Sequence, residues 1–229
     1  MKESLVNYLA SPITRQPLQL SNPEYDAKEI VSGQLTDQSG NSFQISGGIP
    51  RLVDEKLVST SQAETRKSFN SKWEMIPNYR KDTSNFYHKW YVDRYGFGDF
   101  NGLRDFLKDA KLIVEAGTGM GRDILMYSDN SSAQVIGLDI TNAAIEQTYS
   151  DLGHIDNLHL VQADLSRPPI KDQSVDFLAC DQVIHHTPDI RKSFRALARL
   201  IKKGGHCAIY VYSIKSPMRE FSDDFIRNY

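Results

Sequence analysis

The chain has 229 residues, enough for one large domain or for one domain with a small additional module. Hydrophobic residues make up 40% and charged residues 24% of the chain, and 27 basic against 29 acidic side chains give a net charge of -2. This composition excludes a largely disordered chain and offers no overall attraction to nucleic acid or to an anionic membrane.

Targeting and redox signals are weak. No apolar run approaches the roughly 20 residues that span a bilayer, and residues 1–5 contain an early acid instead of a signal-peptide core. The two cysteines, Cys180 and Cys207, are too few for a disulfide framework, so we expect both thiols to be buried and reduced. These features predict a cytoplasmic protein with no membrane partner.

The first zone, residues 1–54, alternates short apolar runs with turn residues. Ser39-Gly40-Asn41 and Gly47-Gly48 separate runs such as Phe43-Gln44-Ile45. This pattern predicts a small β-rich module.

The second zone, residues 55–102, begins as a polar linker and then concentrates aromatic residues. Ten of the chain's 23 aromatic side chains, with both tryptophans, lie between positions 69 and 100. They fit a buried core, or a helical lid over a substrate pocket. On the lid hypothesis we expect Tyr87, Trp90 and Tyr91 to bind substrate.

The third zone, residues 103–229, alternates apolar runs with helical segments. The apolar runs cover positions 112–116, 135–139, 158–162, 175–180 and 207–212. A helix is predicted over 190–202, with Phe194, Leu197, Leu200 and Ile201 on one face and Gly204-Gly205 closing it. The zone predicts an α/β fold with a Rossmann-like, doubly wound, mostly parallel sheet covered by helices on both faces.

A glycine-rich loop, Glu115 to Gly121, follows the first run and precedes a probable helix. Its glycines allow a sharp turn and a close ligand, and the N–H groups of the helix start favour electron-rich atoms. Asp139 follows 22 residues after Gly117, at the end of the second run, where an acid reaches the ribose of an adenosine cofactor.

The spacing of the loop discriminates between cofactors. A dinucleotide fingerprint would have glycine at position 122, and the chain has Arg122 there, with glycine at 121. Glu115 suits the zwitterionic tail of an amino acid better than a pyrophosphate. The loop therefore favours S-adenosylmethionine over NAD and disfavours an NAD-dependent oxidoreductase.

Residues 103–213 resemble a class I S-adenosylmethionine-dependent methyltransferase of the type 11 kind. Beside the glycine loop and Asp139, the matching segments are Ala163-Asp164-Leu165, the strand from Asp176 with the loop to Asp189, and Leu200 to Gly205. The resemblance implies S-adenosylmethionine as cofactor, held by Glu115, Gly117, Thr118, Gly119, Gly121, Arg122, Asp139, Ile140, Ala163, Asp164, Leu165, Asp181 and Gln182. It says little about the acceptor.

Three residues after the fourth run are candidates for catalysis. His185, His186 and Asp181 lie in the loop expected to face the reactive methyl. A general base is needed only for a hydroxyl or a protonated amine, and the histidines could instead orient the loop. The loop lacks the Asn-Pro-Pro-aromatic pattern of base-modifying relatives, which argues against the planar amine of a nucleobase. We prefer His185 slightly, and expect it to titrate near neutrality.

The first 54 residues resemble the small zinc-ribbon-like module related to the activator subunit of tRNA and release-factor methyltransferases. The shared scaffold includes Pro12, Pro17-Leu18 and Gly48-Ile49-Pro50. Hydroxyl residues stand where the four thiolates of that family would lie, at Ser11, Thr14, Thr36 and Ser39. Because neutral hydroxyls do not replace thiolates around zinc, we expect no metal.

These observations predict a methyltransferase that acts on oxygen or nitrogen of a small molecule. The alternatives are an RNA-modifying methyltransferase and a non-catalytic cofactor-binding or partner-activating protein; nucleic acid is disfavoured by the net charge and the lack of a long basic cluster. The family resemblance implies an antiparallel hairpin after the fifth strand, yet only 16 residues follow Ser213. We therefore expect a truncated domain, or a sheet edge covered by a helix, a second copy or another partner.

Overall fold

A computed structural model describes residues 1–211. One nine-stranded sheet runs through this part of the chain, in the order β1-β2-β3-β4-β7-β6-β5-β8-β9. Its strands are β1 (Gln19–Asp26), β2 (Glu29–Thr36), β3 (Ser42–Ser46), β4 (Ile49–Leu52), β5 (Leu112–Ala116), β6 (Gln134–Asp139), β7 (Leu158–Ala163), β8 (Val175–Asp181) and β9 (Ile201–Tyr210).

A helix lies between β5 and β6, between β6 and β7, and between β8 and β9, whereas a loop alone joins β7 to β8. The helices are α1 (Thr60–Met75), α2 (Tyr79–Arg94), α3 (Phe100–Leu107), α4 (Arg122–Asp129), α5 (Asn142–Leu152) and α6 (Ile190–Ala198), with 3₁₀ helices at Glu3–Tyr8, Glu55–Leu57 and Ile184–His186. Every described connection between neighbouring parallel strands β5 to β9 therefore returns over a face of the sheet, as parallel pairing requires.

Successive side chains of the parallel strands point to opposite faces of the sheet and pack in two separate cores. Leu112 and Val114 of β5 pack in one core with Leu5 of the first 3₁₀ helix and Leu197 of α6. Ile113 packs in the other core, with buried side chains of α2, α3, α4 and α5. A sheet with both faces covered needs apolar residues at consecutive positions, which explains the unbroken apolar runs. The predicted α/β, Rossmann-like, doubly wound fold is confirmed.

The N-terminal strands extend the same sheet. β1 to β4 form an antiparallel meander, and β4 then pairs in parallel with β7 through Arg51 with Gln162 and Leu52 with Ala163. Side chains strengthen this connection: Lys2 donates to the carbonyl of Gly153 at 2.8 Å. The segment therefore covers an edge of the parallel sheet that would otherwise expose unpaired backbone groups.

Two predictions near the fifth parallel strand were wrong. α6 ends at Ala198, and β9 begins at Ile201, so Gly204-Gly205 lies inside the strand. The register of β9 against β8 shifts between Ile201 and His206, where Gly204 has a φ of 81°. The glycines thus accommodate a bulge instead of ending a helix. Phe194 is 47% exposed and does not share the buried face of Leu197.

Cys180 is buried, as expected, and burial raises the pKa of its thiol to about 12. Cys207 is exposed, so the expectation of two buried thiols was wrong for this residue.

Within residues 1–211, no helix is long and apolar enough to cross a membrane. β9 is the outer strand of the described sheet, and the segment after Ser213, on which the predictions of truncation and edge covering depend, lies outside the described residues.

Candidate functional site

A cavity opens at the carboxyl ends of β5, β6, β7 and β8. The segments that follow these strands line its floor and walls, and α1 covers it from above. Ligands bind at this edge in doubly wound sheets because the loops after the strands converge there. Of the predicted cofactor-binding residues, those on the cavity are Glu115, Gly117, Thr118, Gly119, Arg122, Asp139, Ile140, Asp164, Leu165, Asp181 and Gln182.

The glycine loop turns in the left-handed region of the backbone. Gly117, Gly119 and Gly121 have φ values of 87°, 49° and 78°, which other residues rarely adopt. Gly121 lies at the N-cap of α4 and packs against Thr148 of α5 rather than on the cavity. Gly121 therefore shapes the turn, and it does not lie on the cavity, where the predicted contact with the cofactor would require it. Ala163 is also off the cavity, fully buried at the end of β7.

Glu115 ends β5 with its carboxylate at the cavity and almost fully buried. It accepts a hydrogen bond from the Thr118 hydroxyl at 2.7 Å. Burial and the neighbouring carboxylate of Asp123 raise the pKa of Glu115 well above its usual value. A ligand ammonium group at this position would restore the ionised form, because an opposite charge favours it.

Arg122 supplies a cation at the same end of the cavity, but its charge is already compensated. Its guanidinium forms a two-pronged pair with the buried Asp123, at 2.6 and 2.5 Å, and lies 4.2 Å above the ring of Tyr87. This pairing raises the pKa of Arg122. Tyr87 therefore holds the first turn of α4 and does not line the cavity, contrary to its predicted substrate contact.

Asp139, the last residue of β6, binds the glycine loop through its carboxylate. One carboxylate oxygen accepts the N–H of Gly119 at 2.8 Å, and the other accepts both the N–H and the hydroxyl of Thr141. The side chain is 8% exposed and faces the cavity. Burial raises the pKa of Asp139, and these hydrogen bonds oppose the rise. Asp139 thus fixes the loop and still presents an acid to a ligand.

Asp164 and Leu165 follow β7 on the adjacent wall. Asp164 accepts hydrogen bonds from the N–H and the hydroxyl of Ser166, both at 2.8 Å. This turn holds Asp164 and Leu165 at the cavity.

Asp181 ends β8 and is bound from α2. Arg94 donates to both of its carboxylate oxygens, at 2.9 and 3.2 Å, and the Tyr95 hydroxyl donates at 3.0 Å. The Arg94 guanidinium is held between the rings of Trp90 and Tyr210. The predicted substrate contact of Trp90 was wrong, because its ring packs on this ion pair. A single guanidinium nitrogen of Arg94 contacts both oxygens, so the Asp181 carboxylate is already paired on the side of α2.

The two histidines occupy different positions. His186 lines the cavity, with its ring 5.0 Å from that of Phe69, whereas His185 lies behind it. The preference for His185 is thus reversed. Burial lowers the pKa of both rings, and the charges of His185 and Lys72 lower that of His186 further. The lowered pKa favours the unprotonated ring of His186, the form that can accept a proton.

The cover of the cavity comes from α1 and the start of α2. The cavity-lining residues of this cover, none of them among the predicted site residues, are Gln62, Thr65, Phe69, Lys72, Trp73 and Tyr79. The loops below add Met120, Asp123, Thr141, Val183, Thr187 and Pro188, which the sequence prediction also lacked. Tyr91, predicted at the cavity, is 1% exposed and bonded to the Tyr127 hydroxyl at 2.7 Å in the core. Positions 62, 65, 69, 72 and 73 share one helical face, but that face mixes polar and aromatic residues, so hydrophobic periodicity gives no signal for it.

The hydroxyl residues of the N-terminal knuckles surround an acid. Asp37 accepts hydrogen bonds from the Thr14 hydroxyl at 2.7 Å and from the N–H groups of Ser39 and Asn41. Burial would raise the pKa of Asp37, yet bonds from Thr14, Ser11 and Asn41 lower it well below its usual value. Thr36 bonds to Ser42 instead. Within residues 1–211, no group of histidine, cysteine and acidic side chains could hold a metal ion.

The cavity suits S-adenosylmethionine. Two buried acids, Glu115 and Asp139, flank backbone that lacks a Cβ at Gly117 and Gly119. Glu115 complements the ammonium group of this cofactor, and Asp139 complements its ribose hydroxyls.

Comparison with known proteins agrees with this geometry. Residues 114–209 match the family model described as a methyltransferase domain. The uncharacterized methyltransferase YcgJ of Bacillus subtilis is 27% identical over 122 residues, 50% of this chain and 48% of that protein. The probable tRNA methyltransferase 9B of Bos taurus is 30% identical over 128 residues, 52% of this chain and 26% of that protein.

A demethylmenaquinone methyltransferase of Staphylococcus haemolyticus is 28% identical over 94 residues, covering 41% of this chain and 39% of that protein. The chain thus spans about half the length, or less, of these curated relatives. A chain of the complex between the Haloferax volcanii Trm112 methyltransferase activator and the putative methyltransferase matches with a TM-score of 0.52 at 18% identity, over 70% of this chain and 66% of that chain. That likeness shows the fold alone.

The family match and the curated relatives support a class I S-adenosylmethionine-dependent methyltransferase. The relatives include proteins named for tRNA and for a small molecule, so they leave the type of acceptor open.

Proposed function

We propose that the chain is an enzyme that transfers a methyl group from S-adenosylmethionine to an oxygen or nitrogen acceptor. The observation that carries the proposal is the pair of buried acids, Glu115 and Asp139, on either side of the glycine loop in one cavity. When bound, the cofactor supplies an activated methyl group, so the protein has to align the acceptor and exclude water.

Each wall of the cavity has a part in holding this cofactor. Glu115 would pair with its ammonium group, Asp139 would accept hydrogen bonds from the ribose hydroxyls, and the Asp164-Leu165 turn would border the adenine. Gln182, with a φ of 61°, lies between the cofactor side and the acceptor side of the cavity.

His186 is the proposed general base. Burial lowers the pKa of its ring, and it lines the cavity beside Phe69 of α1. Asp181 is proposed as a positioning residue instead, because Arg94 and Tyr95 already occupy its carboxylate. If the acceptor is already deprotonated, alignment alone suffices and His186 orients it.

The other segments are proposed to support this site. Residues 55–102 form its cover, chiefly through α1. Residues 1–54 are a metal-free relative of the activator module, acting in the same chain: β4 pairs with β7, and Asp164 follows β7 directly at the cavity. The cofactor domain, from residue 103, would work in the cytoplasm.

A small molecule is one candidate acceptor, supported by a narrow cavity wall of aromatic side chains, Phe69, Trp73 and Tyr79. RNA is the second, and the observation that favours it lies on α6, outside the cavity. The non-catalytic alternative predicts cofactor binding without turnover.

Calorimetric titration with S-adenosylmethionine, S-adenosylhomocysteine and NAD tests the binding site. We expect binding of the first two and none of NAD. Formation of S-adenosylhomocysteine in an acceptor screen then separates an enzyme from a binding protein. Binding of NAD alone would contradict the proposal.

A further inference from the structure

α6 begins at the rim of the cavity. Thr187 and Pro188 line the cavity, and the side chain of Asp189 caps the helix by accepting the N–H of Lys192 at 2.9 Å. The first turns of α6 are therefore the surface that a large acceptor would meet beside the entrance.

The exposed face of α6 is cationic. Arg191, Lys192 and Arg195 are all exposed, and the sequence contains no acid from position 190 to 203. Within residues 1–211, none of the three has an acidic partner, although Arg199 in the next turn pairs with Asp172 at 3.0 Å. The chain's net charge of -2 conceals this local excess of positive charge.

Helix stability does not account for two of these cations. Arg191 and Lys192 lie in the first turn, where the helix dipole disfavours positive charge. Arg191 and Arg195 are four residues apart, a spacing at which like charges repel. Arg195 lies in the last turn, where the dipole favours a cation. The charges of Arg191 and Lys192 are therefore the ones that weaken the helix, which points to an external ligand that compensates them.

The arrangement fits a nucleic-acid strand. Arg191 and Arg195 rise about 6 Å apart along the helix axis, comparable to the distance between successive phosphates of an extended strand. Phe194 lies to one side of this pair, about 60° around the helix from Arg191, and is 47% exposed, so its ring is available for stacking with a base. A membrane is a poorer fit, because Ile190 and Phe194 are the only large apolar side chains exposed on α6, while Leu197 faces the core.

We propose that the exposed face of α6 binds the phosphate backbone of a single-stranded segment of RNA, whose acceptor atom enters the cavity past Thr187 and Pro188. The proposal rests on the methyltransferase function above and names the class of substrate. It also explains how a chain with a net negative charge can hold a polyanion: three cations on one helix act locally.

The test measures the binding of a short, labelled, single-stranded oligoribonucleotide of mixed sequence by fluorescence anisotropy. The intact chain is compared with a triple variant, Arg191→Gln, Lys192→Gln and Arg195→Gln. The control triple variant, Lys28→Gln, Lys81→Gln and Lys108→Gln, makes the same change of charge at exposed positions on other elements. Affinity for S-adenosylhomocysteine is measured on all three proteins.

We expect the α6 variant to lose at least tenfold in RNA affinity, and the slope of log affinity against log salt, from about 50 to about 200 mM, to fall by about 2. The control triple variant should bind as the unaltered chain does. Phe194→Ala should weaken binding without changing the slope, because stacking releases no counterions.

Equal losses in the two triple variants, unchanged binding in the α6 variant, or absence of RNA binding by the unaltered chain would overturn the proposal. So would binding to vesicles of anionic lipid without binding to RNA. A failure of the proposed function gives a different result, since the unaltered chain would then not bind S-adenosylhomocysteine whatever its affinity for RNA.

Discussion

Asp139 joins the glycine loop, the end of β6 and the cofactor side of the cavity. Because its oxygens hold the N–H groups of Gly119 and Thr141, truncation to alanine would disturb the loop as well as the ligand. We therefore predict the effect of Asp139→Asn, which removes the charge, keeps the size of the side chain and retains one of the two acceptor oxygens. Charge-assisted bonds to hydroxyls contribute about 1.5–3 kcal/mol each, so S-adenosylhomocysteine affinity should fall at least tenfold.

Calorimetry measures this fall, and Asp129→Asn, on an exposed acid at the end of α4, is the control that should bind normally. Unchanged affinity in Asp139→Asn would show that the acid holds the loop only.

His186 should titrate below pH 6.5. Burial and the nearby positive charges of His185 and Lys72 disfavour its charged form, so the pKa is lower in the folded protein than in the unfolded chain. The lowered pKa favours the unprotonated base, and the rate should fall as the pH drops through this pKa. NMR titration of the ring protons, assigned with His186→Gln, measures it without an acceptor.

Once an acceptor is identified, His186→Gln should lower kcat by about 10² to 10⁴ and leave cofactor affinity unchanged. His185→Gln, off the cavity, is the matched control. Full activity and an unaltered pH profile in His186→Gln would exclude the base and leave alignment as the source of catalysis.

Among single residues, the sequence identified those whose position is set by a local strand–loop–helix pattern. Glu115, Gly117 and Asp139 lie on the cavity because each follows or ends a buried strand. Tyr91 was predicted at the cavity but lies in the core, bonded to Tyr127 of α4. Whether an aromatic side chain of α2 points to the core or to the cavity depends on how α2 is rotated against α4, and the local sequence does not contain this information.

Helix α2 is bound to the end of β8 through Arg94 and Asp181, both largely buried. We predict that Arg94→Ala lowers the free energy of unfolding by about 3–5 kcal/mol, because it leaves a buried carboxylate without its cation. Denaturant titration measures the loss. Arg104→Ala, which removes an exposed guanidinium bonded to Asn101 and Asn130, should cost far less.

The double variant Arg94→Ala, Asp181→Asn separates the ion pair from simple packing. If the charge is the cause, Asp181→Asn should recover part of the loss. Additive losses would mean that Arg94 stabilises the protein by packing between Trp90 and Tyr210 alone.

Elements with strong apolar patterns were predictable, and those defined by their surroundings were not. β5 to β8 were visible as buried runs. α1 has no buried residue, so its sequence gave little sign that it covers the cavity. Gly204-Gly205 has the composition of a helix end, but pairing with β8 extends β9 through it.

At the scale of the whole molecule, the N-terminal strands join the parallel sheet through the pairing of β4 with β7. No local sequence pattern predicts this pairing. Arg51 of β4 lies beside Gln162 of β7, 111 residues later, and donates to its side chain at 3.2 Å. The composition boundary near residue 54 suggests a separate module, yet Leu35 and Leu52 share a core with Leu112 and Leu197. Burial of both zones in one core couples their stability.

We therefore predict one cooperative unfolding transition for the described sheet. Leu35→Ala, at a fully buried position of β2, should cost about 2–5 kcal/mol and lower the melting temperature equally by far-UV circular dichroism and by tryptophan fluorescence. Both tryptophans, Trp73 and Trp90, lie in α1 and α2, so fluorescence reports on the part of the molecule remote from the substitution. Tyr25→Ala, at an exposed position of β1, is the control and should change little. If fluorescence kept its original midpoint while circular dichroism lost signal earlier, the N-terminal strands would unfold as an independent unit despite the shared sheet.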